Sequence, residues 1–138
     1  MAKAEIMCAC GSGAGYVDCC QPYHNGSAAA PTAVALMRSR YSAFVHGEID
    51  YLVETTLPTK RTGDLRSKYR STYESIRWVG LKVVGVSQGE PLDKTGKVEF
   101  KASYVEGGML GIHHECSRFR RSGQKWYYVD GIVYDAVS

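Results

Sequence analysis

Four cysteines crowd into one short stretch, Cys8, Cys10, Cys19 and Cys20, while the fifth, Cys116, stands far along the chain. Thiolates are soft ligands, and clustered thiols in a reducing compartment serve metals more often than disulfides. A disulfide within Cys8–Cys10 or Cys19–Cys20 closes a small strained ring. Zinc, in contrast, accepts four thiolates in a tetrahedron with no d-electron preference to satisfy. The spacing is Cys-x-Cys, eight residues, Cys-Cys, and the spacer holds Gly11, Ser12, Gly13 and Gly15. Glycines let a chain wrap tightly round an ion and turn backbone N–H groups toward negative sulfurs. Asp18 stands where it can cap or orient the second turn. His24 follows closely, but four cysteines already fill a closed site, so His24 is expected as a loop residue. The expectation is one structural Zn2+ in a module over residues 1–24. An oxidised cysteine pair or four unrelated thiols is the blander alternative. Loss of the metal is expected to disorder only this module, the core of the rest lying elsewhere.

The second group of chemical residues is the run His113-His114-Glu115-Cys116-Ser117. In a strand, neighbours point to opposite sides. Glu115 then shares a side with His113, Ser117, Phe119 and Arg121, and His114 shares the other with Cys116, Arg118 and Arg120. Adjacent His113 and His114 diverge and do not share an ion. Cys116 and His114 lie about 6.5–7 Å apart at Cβ, too far for a nucleophile–base pair, and Cys116 reads as a small core residue. If the Phe119 side is concave, Glu115 and Ser117 sit among aromatic walls from Phe100, Tyr104 and Trp126. Desolvation would then raise the Glu115 pKa and suit it to general acid–base work. The structural alternative is a buried ion pair from Arg38 or Arg40 to Glu115, tying helix to sheet. The candidate pocket set is Arg38, Arg40, Tyr41, Glu115, Ser117 and Trp126.

The elements that would carry these residues follow from periodicity. Pro31 and Thr32 read as a helix start. Ala33, Leu36, Met37, Tyr41, Phe44 and Val45 recur at helical spacing up to Gly47. A short helix is predicted near 48–56, stopped by Pro58. Leu65, Tyr69, Tyr73 and Ile76 mark another, with Arg66, Lys68 and Arg70 on its opposite face. From Trp78 the period changes to two. Strands are predicted from Trp78, around Val98–Tyr104, near 110–120 and over 126–133, separated by glycine-bearing turns. Helices followed by four strands at hairpin spacing give an α+β fold, with helices packed on one face of a curved four-stranded antiparallel sheet. This main domain is predicted over residues 31–138.

Composition narrows the classes. The chain has 138 residues, 44% hydrophobic and 22% charged, with a formal net charge of +3. No apolar run reaches the roughly 20 residues of a membrane-spanning helix, and no long apolar leader opens the sequence. A cytoplasmic protein without a membrane partner is expected. Gly11-Ser12-Gly13 precedes no strand–helix unit, so no nucleotide cofactor is expected. Charge is uneven: residues 60–125 hold 14 Lys and Arg against 7 Asp and Glu. Arg118, Arg120, Arg121 and Lys125 form a basic run. It reads as a solvated face, or as a patch for ribosomal RNA or an acidic protein surface.

The stretch CACGSGAGYVDCC resembles the SEC-C motif, a small zinc-binding module at the C-terminus of the preprotein translocase ATPase and in many otherwise unrelated bacterial proteins. Every element of the motif is present, with Cys20 at the last place and Ala9 where proline or another small residue is common. The resemblance extends through Ala30-Pro31-Thr32, residues 36–44 (LMRSRYSAF), Asp50-Tyr51-Leu52, Trp78, Leu81, His114-Glu115, Ser117, Phe119 and residues 126–131 (WYYVDG). Together these resemble the YchJ-like family, in which a SEC-C motif precedes an NTF2-like domain. The segment 59–76 is longer and more basic than that family suggests. The resemblance implies a cone-shaped NTF2-like fold and a bound metal; it implies no reaction.

Two functions follow. The first is a zinc-binding interaction module whose partner is a protein or the ribosome and its RNA. The second is a small pocket enzyme or ligand carrier using the cone, with Glu115, Ser117 and a helix arginine near the ligand. Polar groups converging inside an open cavity would favour the second. A filled cone would favour the first.

Overall fold

The computed structural model describes residues 6–134. Residues 1–5 of the predicted 1–24 module and 135–138 of the predicted 31–138 domain lie outside the described residues. The cysteine-rich segment folds as a tight loop, a 3-10 turn at Tyr16–Asp18 and the one-turn helix α1 (Gln21–His24). Helices α2 (Ala33–His46), α3 (Ile49–Glu54) and α4 (Leu65–Ser75) follow, then strands β1 (Arg77–Gln88), β2 (Thr95–Glu106), β3 (Met109–Ser122) and β4 (Lys125–Tyr134). The strands form one antiparallel meander in the order β1-β2-β3-β4. No helix among the described residues is long and apolar enough to cross a membrane.

Helix α2 is bounded as its sequence dictates. Thr32 Oγ1 accepts the Ala35 N–H at 3.1 Å, and Gly47 closes the far end in the left-handed conformation. Its buried stripe, Ala33, Leu36, Met37, Arg40, Tyr41 and Ala43, lies across the concave face of the sheet. Trp126 fastens the start of this helix to β4, its indole donating to Pro31 O at 3.1 Å. Bulges in β1 at Trp78/Gly80 and Val83/Gly85, and in the β3–β4 ladder at Arg118/Phe119, bend the sheet. The segment after α3 docks on β4: Tyr128 N–H donates to Thr55 O, and Leu57 N–H to Tyr128 O, both at 2.8 Å.

The concave face carries Val98, Ala102, Glu115, Ser117 and Phe119, all buried. The Phe119 side is therefore the inner one, and Arg118 and Arg120 are exposed. Cys116 lies half-buried on the outer side, rather than in the core as its residue type suggested. Val98 is fully buried, while Phe44, Leu81, Phe100 and Val129 are only partly so. Phe44 and Phe100 are less buried because they line an incompletely filled cone. The tightest packing lies at Leu36, Leu52, Val98 and Phe119. Phe119→Ala is expected to cost about 3–5 kcal/mol in urea unfolding, and Phe100→Ala less, because Phe100 already borders empty space. Equal losses for the two would contradict this placement of the core.

Candidate functional site

The four predicted ligands converge. Their sulfurs all lie within 4.8 Å of one another, and no disulfide forms among the described cysteines. Cys10 Sγ lies 3.6 Å from Cys19 Sγ, and Cys19 Sγ 3.9 Å from Cys20 Sγ. A regular tetrahedron with metal–sulfur arms of about 2.3 Å has edges of about 3.8 Å, so this donor set fits a tetrahedral ion. Gly11 and Gly13 take φ of 79° and 90°, left-handed values that turn the loop back on itself. Cys8 N–H donates to Ala14 O at 2.9 Å and holds the two arms together.

Polar neighbours face the sulfurs. Ser12 Oγ lies 3.1 Å from Cys19 Sγ, Ser42 Oγ 3.8 Å from Cys8 Sγ, and the Ser12 N–H points to the Cys10 sulfur. The Cys20 thiol beside it, with the Ser12 hydroxyl and N–H, draws the Cys10 thiol down to about 4 against its burial, whereas the Cys10 sulfur and burial push Cys20 up. Uptake of a divalent ion by cysteine sulfurs releases thiol protons. Asp18 contributes through its backbone N–H, donated to Gly15 O at 3.1 Å.

This module is seated on the domain. Cys8, Cys10 and Cys20 share a buried cluster with Tyr41 and Ala102, against which Trp78, Leu81 and Phe100 pack. Arg38 Nη1 donates to Cys10 O at 2.6 Å. His24, expected in a loop, ends α1 and acts as a brace. Its Nε2–H donates to Ser39 O at 2.8 Å, which leaves Nδ1 to accept the Tyr16 hydroxyl at 2.6 Å. Burial holds its pKa down, consistent with that neutral tautomer. The domain's main core, built on Leu36, Leu52, Val98, Phe119 and Trp126, holds none of the four cysteines, as expected, while the module shares a second, smaller buried cluster with Tyr41 and Ala102.

The second site is a cavity of about 340 Å³ between the inner face and helices α2 and α4. Of the candidate pocket residues, Arg40, Tyr41, Glu115 and Ser117 line it, with His113, Tyr128, Tyr69 and Trp78. Arg38 and Trp126 do not: Arg38 is committed to Cys10 and Trp126 to Pro31. Tyr104 packs on Trp78 with ring centres 5.5 Å apart and is not among the lining residues.

Glu115 is the hub. His113 Nε2–H donates to its Oε1 at 2.7 Å, and Ser117 and Tyr128 hydroxyls donate to Oε2 at 2.6 and 3.2 Å. Burial alone would push this carboxyl up, but the three donors outweigh it and hold the pKa below the ordinary value. The predicted upward shift is corrected on that ground. The predicted ion pair to a helix arginine is also absent among the described residues. Arg40 Nη1 instead donates to Leu52 O at 2.8 Å and Thr55 Oγ1 at 2.7 Å, and Nη2 to Tyr69 OH at 2.8 Å. Its guanidinium carbon lies 4.6 Å from the centre of the Tyr128 ring. Gly131 stands across from Ser117 on β4, and a Cβ there would run into the Glu115 carboxylate.

Sequence reasoning missed His113, Trp78, Tyr128 and Gly131. The two-residue alternation already placed His113 beside Glu115. The Tyr128 position depends on the β3–β4 bulge, which alternation does not reveal.

An NTF2-like cone with a four-cysteine module packed against its wall is the class this geometry defines. The family model described as the YchJ middle NTF2-like domain matches residues 32–131. A UPF0225 protein of Streptomyces coelicolor is 44% identical over 93% of this chain and 96% of its own length. UPF0225 protein YchJ of Shigella dysenteriae is 40% identical over 91% of this chain and 82% of its own. The solution structure of a SEC-C motif containing protein from Rhodopseudomonas palustris superposes with TM-score 0.83 at 40% identity, covering 93% of this chain and 98% of that one. A crystal structure from Psychrobacter arcticus, also of a SEC-C motif containing protein, gives 0.76 at 34%, over 95% and 84%. The chain belongs to the YchJ (UPF0225) family.

The Glu115 network sets a pH dependence. Its folded pKa is depressed, so its stabilisation is complete above the ordinary value of 4.5 and is lost as pH falls through the lower folded value. Glu115→Gln is expected to cost about 1–3 kcal/mol at pH 7, where three donors lose an anionic acceptor. The gap to wild type should shrink in denaturant melts as pH drops below 4.5. A gap that grows on acidification would contradict the assignment.

Proposed function

We propose that this protein is a zinc-stapled ligand-binding domain. The four cysteines hold one structural Zn2+, and the cone receives a small molecule. The observation that carries the reading is polar convergence in an open cavity. A buried carboxylate with three donors, a histidine it orients and a buried arginine all meet in about 340 Å³. A cavity of this size, apolar with few placed polar groups, is the usual form of a ligand site. Sulfur spacing near a tetrahedron's edges supports zinc, and four protein ligands leave no position open for catalysis. The metal's task is then to hold Cys8, Cys10 and Cys20 against Tyr41 and Ala102.

A protein or ribonucleoprotein partner is the second reading, favoured by the outer face of the sheet. Lys82 pairs across strands with Lys101, Lys97 with Arg118, and Thr95 with Arg120. Arg118 is neutralised by Asp130, with Nε and Nη2 at 2.6 and 2.5 Å from its oxygens. Arg121, on the inner side, is tied to the carbonyls of Leu92, Asp93 and Gly123. The basic run is therefore weaker than its composition implied.

Elemental analysis of chelator-free protein is expected to give about one zinc per chain, falling sharply in Cys8→Ser. Less than roughly 0.2 per chain in wild type would contradict the metal assignment. If RNA binds the outer face, log K against log salt should slope by about −0.7 to −0.9 per phosphate contacted, and Lys82→Glu with Lys101→Glu should flatten it. Salt-independent retention, or none at low salt, would remove RNA.

A further inference from the structure

Glu115 decides which nitrogen of His113 carries the proton. Its three donors hold the carboxyl as an anion, and an ionised carboxylate only accepts hydrogen bonds. His113 Nε2, 2.7 Å from Glu115 Oε1, is therefore the N–H, and in the neutral ring Nδ1 keeps a lone pair. Nδ1 has no hydrogen-bond partner among the described residues. It is not occluded either, because the buried side-chain polar atom left unpaired among those residues is the Trp78 indole nitrogen. The His113 ring stands on the inner face of β3 and lines the cavity. Its centre lies 6.0 Å from the Trp78 ring and 6.1 Å from the Phe100 ring, two other walls of the same space. The result is an open acceptor on a ring fixed from two sides. Neighbouring polar groups are engaged: the Ser117 and Tyr128 hydroxyls on Glu115, and the Tyr69 hydroxyl with Arg40 and Thr56.

We propose that the cavity takes an uncharged aromatic hydroxyl compound of the phenol class, whose O–H donates to His113 Nδ1. This rests on the ligand-binding reading above. Three features of the lining converge on that class. The unpaired lone pair of His113 calls for a donor on the ligand. The charges of the lining cancel, Arg40 supplying the cation and Glu115 the anion, and no other Lys, Arg, Asp or Glu reaches the space. A charged ligand would upset that balance where water is scarce, and a neutral one preserves it. The walls call for a flat apolar body, because Phe44, Phe100, Phe119 and Trp78 surround the space. A phenol meets all three conditions with a single polar atom.

The test uses the metal-loaded full chain and three one-ring probes: phenol, its methyl ether anisole, and benzoate. Binding is read by NMR titration with the ring nitrogens of the four histidines observed directly. His24 serves as the internal control because both of its ring nitrogens are already engaged. The expected result is saturable phenol binding, about five- to tenfold tighter than anisole, the effect of one hydrogen bond to an otherwise unpaired acceptor. Benzoate should bind more weakly than phenol. The His113 Nδ1 signal, unprotonated in the free protein, should move with phenol and stay in place with anisole, while His24 stays in place with both. His113→Phe keeps a ring in the wall and should lower phenol to the affinity of anisole. A melting curve checks that this variant folds, and the wild-type nitrogen signals decide the matter if it does not. Anisole or benzoate binding as tightly as phenol, an unmoved Nδ1 signal, or a protonated Nδ1 in the free protein would overturn the hydroxyl assignment while leaving the ligand-binding reading intact. Binding of none of the three probes would overturn both.

Discussion

The back wall of the cavity depends on the seating of three sulfurs against one tyrosine and one alanine. Cys8, Cys10 and Cys20 are buried with Tyr41 of α2 and Ala102 of β2. A segment of some two dozen residues cannot bury a sufficient core alone, so it needs both a cross-link and a wall. Four sulfurs spaced for a tetrahedral ion can supply the cross-link, and the helix and sheet of the cone supply the wall. The dependence runs both ways. Tyr41, Trp78, Phe100 and Ala102 also line the cavity. The cysteine module is the back of the cavity wall more than a knob projecting from it.

Inside the cone the governing constraint is charge in a region poor in water. One cation and one carboxylate are held apart, each satisfied separately. Arg40 has carbonyl, hydroxyl and aromatic neighbours; Glu115 has an imidazole and two hydroxyls. A direct pair between them would have neutralised both and closed the space. Keeping them apart leaves a cavity with oriented polar groups, the arrangement from which binding specificity is made. Gly131 serves the same end by leaving room for the carboxylate at the β3–β4 ladder.

Much of this was legible in the residues. Thr32 and Gly47 marked the ends of α2, and two-residue alternation identified the inner side of β3 once Phe119 was taken as buried. The four cysteines declared a cluster through spacing alone. What was not legible were long-range choices that depend on bulges and docking. Arg38 and Arg40 are two residues apart on one helix and looked interchangeable. The helical turn sends one to the cysteine loop and the other to the cavity. Trp126 resembles a cavity aromatic in sequence but is drawn away by the Pro31 carbonyl. The sign of the Glu115 shift depended on counting donors across three elements, which a pattern within one strand does not reveal.

The central claim is that the cysteine module and the cavity wall form one packed unit. The most direct test compares amide and indole NMR spectra of metal-loaded and chelator-stripped protein. The account predicts that stripping shifts Trp78, Ala102 and Tyr41 signals along with those of residues 6–24. Changes confined to residues 6–24, with Trp78 and Ala102 unmoved, would contradict it.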